Sequence, residues 1–313
     1  MLVLITGAAG FVGSSLAERL VREGYKVKGI DSFVEYYPRT TKEKNLEFLL
    51  TQSNFEFIES DLNVCDLDEL ISGSEYIFHQ AAQAGVRASW GDYFKSYCDN
   101  NVLATQKLLD AVRKNGKIKK VVFASSSSIY GDAESFPTHE SILPKPVSPY
   151  GVTKLASEHL MSLYASQFAL PTVSLRYFTV YGPRQRPDMA FNRFISRALR
   201  QEEIEVYGDG SQSRDFTYID DIVEANILAA KNGKPGSIYN IGGGTQATIN
   251  QVLEIISAEI PLTKVVNKER QAGDARHTGA DTKKARLELS FTPKVRLEDG
   301  IKQEITWLRN VLS

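Results

Sequence analysis

Cysteine is scarce in this 313-residue chain. Cys65 and Cys98 are the only two, and no C-x-x-C pair occurs. That excludes a disulfide framework and a thiolate zinc site. Histidine is scarce too, with four residues and no Cys/His cluster, so no metal is expected. His79 is expected to pack in a strand rather than bind a metal. A charge excess is missing as well: the formal net charge is −1, which leaves no footprint for nucleic acid or an anionic membrane surface. No stretch approaches the ~20 apolar residues of a membrane span. The first apolar run, residues 2–5, is too short for a secretory signal and has no basic flank. Internal repeats and low-complexity linkers are also absent. A soluble, cytoplasmic chain is expected, long enough for one large α/β domain or two smaller lobes.

Against that plain background stands Tyr150-Gly151-Val152-Thr153-Lys154, at the start of an apolar-periodic run to Phe168. Tyr and Lys four apart face the same way on a helix. A phenol is a poor base near neutrality, since its ordinary pKa is about 10. A neighbouring ammonium favours the phenolate, which can then take a proton from a hydroxyl. The serine run ending at Ser126, Ser127 and Ser128 comes after an apolar segment, and Ser126 is the candidate for a catalytic hydroxyl directly after that strand. A Tyr-x3-Lys pair alone is weak, because most such pairs are a half-buried Tyr beside a solvated Lys. The start of the chain supplies the context.

Residues 2–5 read as a buried strand, then come Gly7, Gly10, Phe11, Val12 and Gly13 and a helix over about 14–23. Strand, glycine turn and helix together make a dinucleotide cradle, with a pyrophosphate on the helix N-terminus. The second strand, 26–30, ends in Asp31 and then Ser32. A carboxylate there binds ribose hydroxyls and repels a 2′-phosphate, which favours NAD over NADP. A helix over about 41–50 and a strand over 55–59 lead to Asp61 and Leu62, placed to meet an adenine. A strand over 76–79 ends in Gln80, Ala81 and Ala82, small enough for close backbone approach. Arg87 lies in the next loop, where ligands of open α/β sheets sit. One long helix is expected over about 92–115, a strand over 120–124 and another over 172–176. Beyond it lie Tyr177, Thr179 and Arg186, then a helix over 191–201, a strand and turn over 204–210, and Arg214. The acidic pair Asp220 and Asp221 is expected to cap a helix to about 231. A strand over 237–241, a Thr248-capped helix to about 259, a loop holding Arg276 and a last helix over 297–312 complete the chain.

Taken as a set, Thr6-Gly7-x2-Gly10-x2-Gly13, Asp31, Asp61-Leu62, the serine run before Tyr130-Gly131, Tyr150-x3-Lys154, Arg176-Tyr177-Phe178 and Arg214-Asp215 resemble the extended short-chain dehydrogenase/reductase family. The likeness spans essentially the whole chain and points to its nucleotide-sugar epimerases and dehydratases. It implies an α/β fold: a doubly wound parallel sheet, Rossmann-type and NAD-binding, over 1–176 and completed by about 217–240. A smaller α+β C-terminal substrate lobe, mainly 177–313, would hold the nucleotide diphosphate, with Arg214 and Arg276 meeting it. It also implies a homodimer through helices near 92–115 and 150–168. The implied chemistry is oxidation at C4 of a UDP-sugar. Tyr150 takes the hydroxyl proton, Ser126 bonds the same oxygen, hydride goes to NAD, and Lys154 holds the nicotinamide ribose.

The two residues after Ser126 narrow the fate of the 4-keto sugar. Related 4,6-dehydratases carry an Asp-Glu pair where this chain has Ser127 and Ser128, and related decarboxylases usually carry Glu in place of Ser128. The remaining route is rotation of the keto sugar and return of hydride to its other face. The run from Thr179 through Arg186 to Ala190 resembles UDP-glucuronate 4-epimerases, whereas UDP-galactose 4-epimerases typically have Asn in place of Thr179. A uronate carboxylate suits the planar fork of Arg186, with Arg87 as a second candidate. Contacts from Thr179, Ser127, Ser128 and Arg186 would hold that carboxylate out of line with the 4-keto group. The rivals are a neutral or N-acetylated sugar 4-epimerase, a UDP-glucuronate decarboxylase, a net NADH-producing dehydrogenase and a non-catalytic NAD sensor.

Overall fold

In the first strand, Leu2–Thr6 (β1), Val3 and Ile5 face one hydrophobic layer and Leu4 faces the other. Phe78 and Val122 join the first layer; Ile77, Val121 and Phe123 join the second. Near-continuous apolar strands of this kind belong to a sheet buried on both sides. The computed structural model describes residues 1–133, 135–269, 273 and 275–312. The further strands are β2 (Lys26–Asp31), β3 (Phe55–Glu59), β4 (Tyr76–His79), β5 (Lys120–Ser126), β6 (Thr172–Tyr177), β7 (Thr179–Tyr181), β8 (Ile204–Tyr207), β9 (Ser213–Tyr218), β10 (Ser237–Ile241), β11 (Gln246–Thr248) and β12 (Val265–Lys268).

Seven strands form one parallel sheet in the order β10-β6-β5-β4-β1-β2-β3. β1 lies between β2 and β4, so the strand order reverses there. Ligands of open α/β sheets sit outside the carboxyl ends of strands at such a switch point. The expected mixed α/β class and parallel sheet are therefore present. The remaining strands build two small sheets, β11-β9-β7 and β12-β8. Their core is aromatic: the Phe191 ring lies 5.1 Å from Tyr181 and 4.7 Å from Phe216.

Several elements differ from expectation. The first helix begins at Phe11, with Gly10 as its N-cap, so the glycine loop is shorter than the pattern implied. β5 runs on to Ser126, which is the last residue of the strand rather than the first after it. The expected long helix breaks into Phe94–Tyr97, a π-helical turn Cys98–Leu103 and Ala104–Asn115. Asn101 in that turn is buried; its amide donates to the Gln83 carbonyl at 3.1 Å and to Thr153 Oγ1 at 2.9 Å, and its Oδ1 accepts the Gln83 N–H at 2.7 Å. The wide turn thus ties the loop after β4 to the Tyr150 helix, and such bulges recur at functional sites. Asp220 and Asp221 do not cap the helix Ile219–Asn232, whose N-cap is Tyr218. The Asp221 carboxylate instead accepts the backbone N–H groups of Lys294 and Val295 at 2.9 and 3.2 Å. β7, β9, β11 and β12 are too short or too polar to stand out by periodicity. Buried Asp215 of β9 accepts the N–H of Gly243 at 2.7 Å and of Ala280 at 3.1 Å, fastening two loops; burial nevertheless pushes its carboxyl up to about 6.

Candidate active site

The turn after β1 is the floor of the site. Gly7 has φ +71°, and a Cβ there would lie 2.7 Å from the Ala81 backbone nitrogen. A Cβ on Gly13 would lie 2.0 Å from the Gly7 carbonyl oxygen. No larger residue fits either place, so the chain after β1, the helix Phe11–Arg22 and the end of β4 close into one cradle. A cavity of about 390 Å³ runs from it to Tyr150 and Arg186. Gly7, Gly10, Phe11, Val12, Gly13, Asp31, Ser32, Asp61, Leu62, Gln80, Ala81, Ala82 and Tyr177 all line it.

At one end Asp31 is held by backbone. Its Oδ2 accepts the Ala9 N–H at 3.1 Å and its Oδ1 the Phe33 N–H at 2.8 Å. Lys42, almost fully buried, places its Nζ 3.7 Å from Asp31 and donates to the Val34 carbonyl. Burial lowers the Lys42 pKa and Asp31 opposes that. In the sequence Lys42 reads as one more charge on a basic helix, with no signal that it turns inward. Asp61 accepts the Asn63 N–H at 2.7 Å, a local turn that sets its carboxylate at the rim. Deeper in, the Tyr177 hydroxyl meets Gln80 Oε1 at 3.2 Å and Asn226 at 2.9 Å, and Gln80 Nε2 donates to Asn226 Oδ1 at 2.9 Å. Asn226, fully buried on the helix Ile219–Asn232, has no motif to announce it. His79 is buried between Thr6 Oγ1 at 2.8 Å and Thr105 Oγ1 at 2.9 Å; burial drives its pKa to about 3, which keeps it neutral. The glycine cradle and the strand-end carboxylate fit an NAD dinucleotide.

At the other end Ser126, Tyr150 and Lys154 share the cavity wall. Pro149–Phe168 is a helix whose N-cap is Ser148; the Ser148 hydroxyl accepts the Gly151 N–H at 3.1 Å, which sets Tyr150 in the first turn. Lys154 is buried and its Nζ donates to the Ala124 carbonyl at 2.8 Å. Burial pulls its pKa down to about 7. Burial also raises the Tyr150 phenol, opposed by a hydrogen bond with Ser126 and by the charge of Arg186. The influences that favour the phenolate are the Ser126 hydrogen bond and the Arg186 charge.

Ser127, Ser128, Thr179 and Arg186 also line this end. Arg87, Arg214 and Arg276, expected to meet the substrate, lie outside the lining. The Arg87 guanidinium sits 4.3 Å over the Tyr207 ring. Arg214 donates to the carbonyls of Ala275 at 2.6 Å and Arg276 at 3.0 Å, and the Arg276 N–H donates to Asp132 at 2.8 Å.

Residues 3–242 match the NAD dependent epimerase/dehydratase family. An uncharacterised UDP-glucose epimerase of Bacillus subtilis is 44% identical over 99% of both chains. A UDP-glucuronate 4-epimerase of Thermodesulfobacterium geofontis is 39% identical, covering 97% of this chain and 95% of its own. The crystal structure of UDP-glucuronic acid 4-epimerase from Bacillus cereus, in complex with UDP-glucuronic acid and NAD, superposes with a TM-score of 0.95 at 41% identity, over 99% of this chain and all of the other.

Proposed function

The chain belongs to the NAD dependent epimerase/dehydratase family, and from that premise we propose that it interconverts UDP-glucuronate and UDP-galacturonate by 4-epimerisation. It is an NAD-dependent enzyme. The observation that carries the substrate is the wall beside Tyr150: Arg186, Thr179, Ser127 and Ser128 offer donors to an anion, and serines stand where an eliminating acid-base pair would be needed.

When bound, NAD supplies a reversible hydride acceptor. The cradle of Gly7, Gly10 and Gly13 with Asp31 would hold its adenosine diphosphate half, and Gln80, Tyr177 and Lys154 the far half. Tyr150 takes the proton from the C4 hydroxyl while Ser126 donates to the same oxygen. Oxidation leaves a 4-keto sugar, which turns and presents its other face. The Tyr150 proton then returns to the oxygen as hydride comes back to C4. A 4-keto hexuronate is a β-keto acid, so Arg186 and Thr179 also serve to keep its carboxylate from leaving as CO2. The substrate lobe is mainly 177–313, and the dinucleotide part is 1–176 with about 217–240.

The test is incubation with UDP-glucuronate and NMR of the products. UDP-galacturonate formed without added NAD, with little pentose, is expected. UDP-xylose or a 4-keto pentose as main product makes the chain a decarboxylase. The likeness to a UDP-glucose epimerase favours a second reading, a neutral-sugar 4-epimerase, and turnover of UDP-glucose with none of UDP-glucuronate establishes it.

A homodimer completes the proposal. The helix Pro149–Phe168 exposes Val152, Leu163 and Phe168, each about half accessible, and Leu103 lies on the helical run beside it. Light scattering is expected to give twice the chain mass; a monomer at working concentration overturns the pairing. Among the described residues no helix is long and apolar enough to cross a membrane. We place the enzyme in the cytoplasm, where cell fractionation checks it.

A further inference from the structure

Arg186 meets Asp188 along one side of its guanidinium. Nε donates to Oδ1 at 2.9 Å and Nη2 to Oδ2 at 2.8 Å. A guanidinium has a second planar edge, Nη1 with Nη2, that also fits a carboxylate. Among the described residues no partner meets Nη1. The pair is built in from both lobes: the Tyr36 hydroxyl donates to Asp188 Oδ2 at 3.4 Å, and the guanidinium lies 5.6 Å from the centre of the Tyr36 ring. Burial works to raise the Asp188 carboxyl, and the Arg186 bonds and charge override it, leaving it below the ordinary value. Asp188 is thus ionised throughout the neutral range.

A 4-epimerase has a requirement that a simple dehydrogenase lacks. The oxidised sugar must let go of the wall, turn, and be held again on its other face. A hexuronate clamped by a lone guanidinium would release slowly. A guanidinium already paired with one carboxylate still offers directed hydrogen bonds to a second, but its charge is shared.

We propose that Asp188 is a positioning and specificity residue for the hexuronate: it fixes the Arg186 plane so that the far edge meets the sugar carboxylate, and its own charge keeps that hold weak enough for the keto sugar to turn. The proposal rests on the UDP-hexuronate reading above. Its two halves predict opposite movements in KM.

The test compares wild type with Asp188→Asn, which keeps the shape and removes the charge, and with Asp188→Ser, which removes charge and bulk. With UDP-glucuronate, Asp188→Asn is expected to lower KM and kcat together, each by about fivefold, the scale of one unit charge at a partly screened rim, whereas Asp188→Ser, which also frees the Arg186 plane, is expected to raise KM while kcat falls. The acid limb of the kcat/KM profile shifts to lower pH, because a less neutralised Arg186 favours the Tyr150 phenolate. Affinity for UDP, which has no carboxylate, stays at the wild-type value and shows that the fold is intact. Active wild type with KM and the acid limb unmoved in both variants overturns the role of Asp188 alone. A raised KM at unchanged kcat in Asp188→Asn does so too, since it leaves Asp188 no part in weakening the hold of Arg186. Wild type inert toward UDP-glucuronate overturns the hexuronate reading and this inference with it.

Discussion

Tyr150→Phe is expected to bind NAD and UDP-glucuronate and to turn over about 10²- to 10⁴-fold more slowly, the usual range for removing a positioned general base. The ring stays. Its edge-to-face contact with Tyr97, 6.2 Å between centroids, needs no hydroxyl, so the packing of the helix Phe94–Tyr97 on the helix Pro149–Phe168 is preserved. The loss is confined to the oxygen that bonds with Ser126 and feels Arg186. Both opposing influences on the phenol come from groups that line the same cavity. The measurement is kcat with the bound nicotinamide followed by absorbance. A kcat within fivefold of wild type, with NAD still bound, would place the base elsewhere.

How much of this is legible in the chain depends on range. The glycine turn, Asp31 and Tyr150-x3-Lys154 are local patterns whose geometry comes from strand and helix period, and each lines the cavity as expected. Ser126 stands out by adjacency alone, which explains the two-residue error about the strand end. Lys42, Asn101, Asn226 and Glu158 are polar residues within helical segments, and nothing in the sequence marks which helix face meets the sheet. The arginines are less legible for a related reason. Arg87 follows β4, Arg214 lies on β9 and Arg276 follows β12, but a long flexible side chain has many destinations, and here Arg87 stacks on the Tyr207 ring while Arg214 bonds backbone carbonyls. Arg186, in a loop bounded by Pro183 and Pro187, lines the cavity.

The largest stability effect is expected two helical turns beyond Tyr150. Glu158 is 1% exposed and Arg176, on β6, is 3% exposed. The carboxylate accepts Arg176 Nη2 at 2.6 Å and Nε at 2.9 Å, and also the Ser125 hydroxyl at 2.7 Å. Arg176 Nη1 bonds the Tyr130 hydroxyl and the Glu140 carbonyl, and the Tyr130 hydroxyl donates to Asn240 at 2.8 Å. Glu158→Ala leaves that guanidinium buried without its counter-charge, which costs about 3–5 kcal/mol. Replacing both partners with apolar residues of similar volume costs less than the single change, because no charge is then stranded. Urea denaturation of the single and double variants measures both. A loss under about 1 kcal/mol for Glu158→Ala would mean that water reaches Arg176. The network has a second consequence through Ser125, the neighbour of Ser126. It joins β5, β6 and the Tyr150 helix at one buried point, so the Glu158–Arg176 pair helps to set the distance between Ser126 and Tyr150. Glu158→Ala should therefore lower kcat even under conditions where the protein remains folded, while Glu158→Gln, which keeps an acceptor for Ser125, should lower it less.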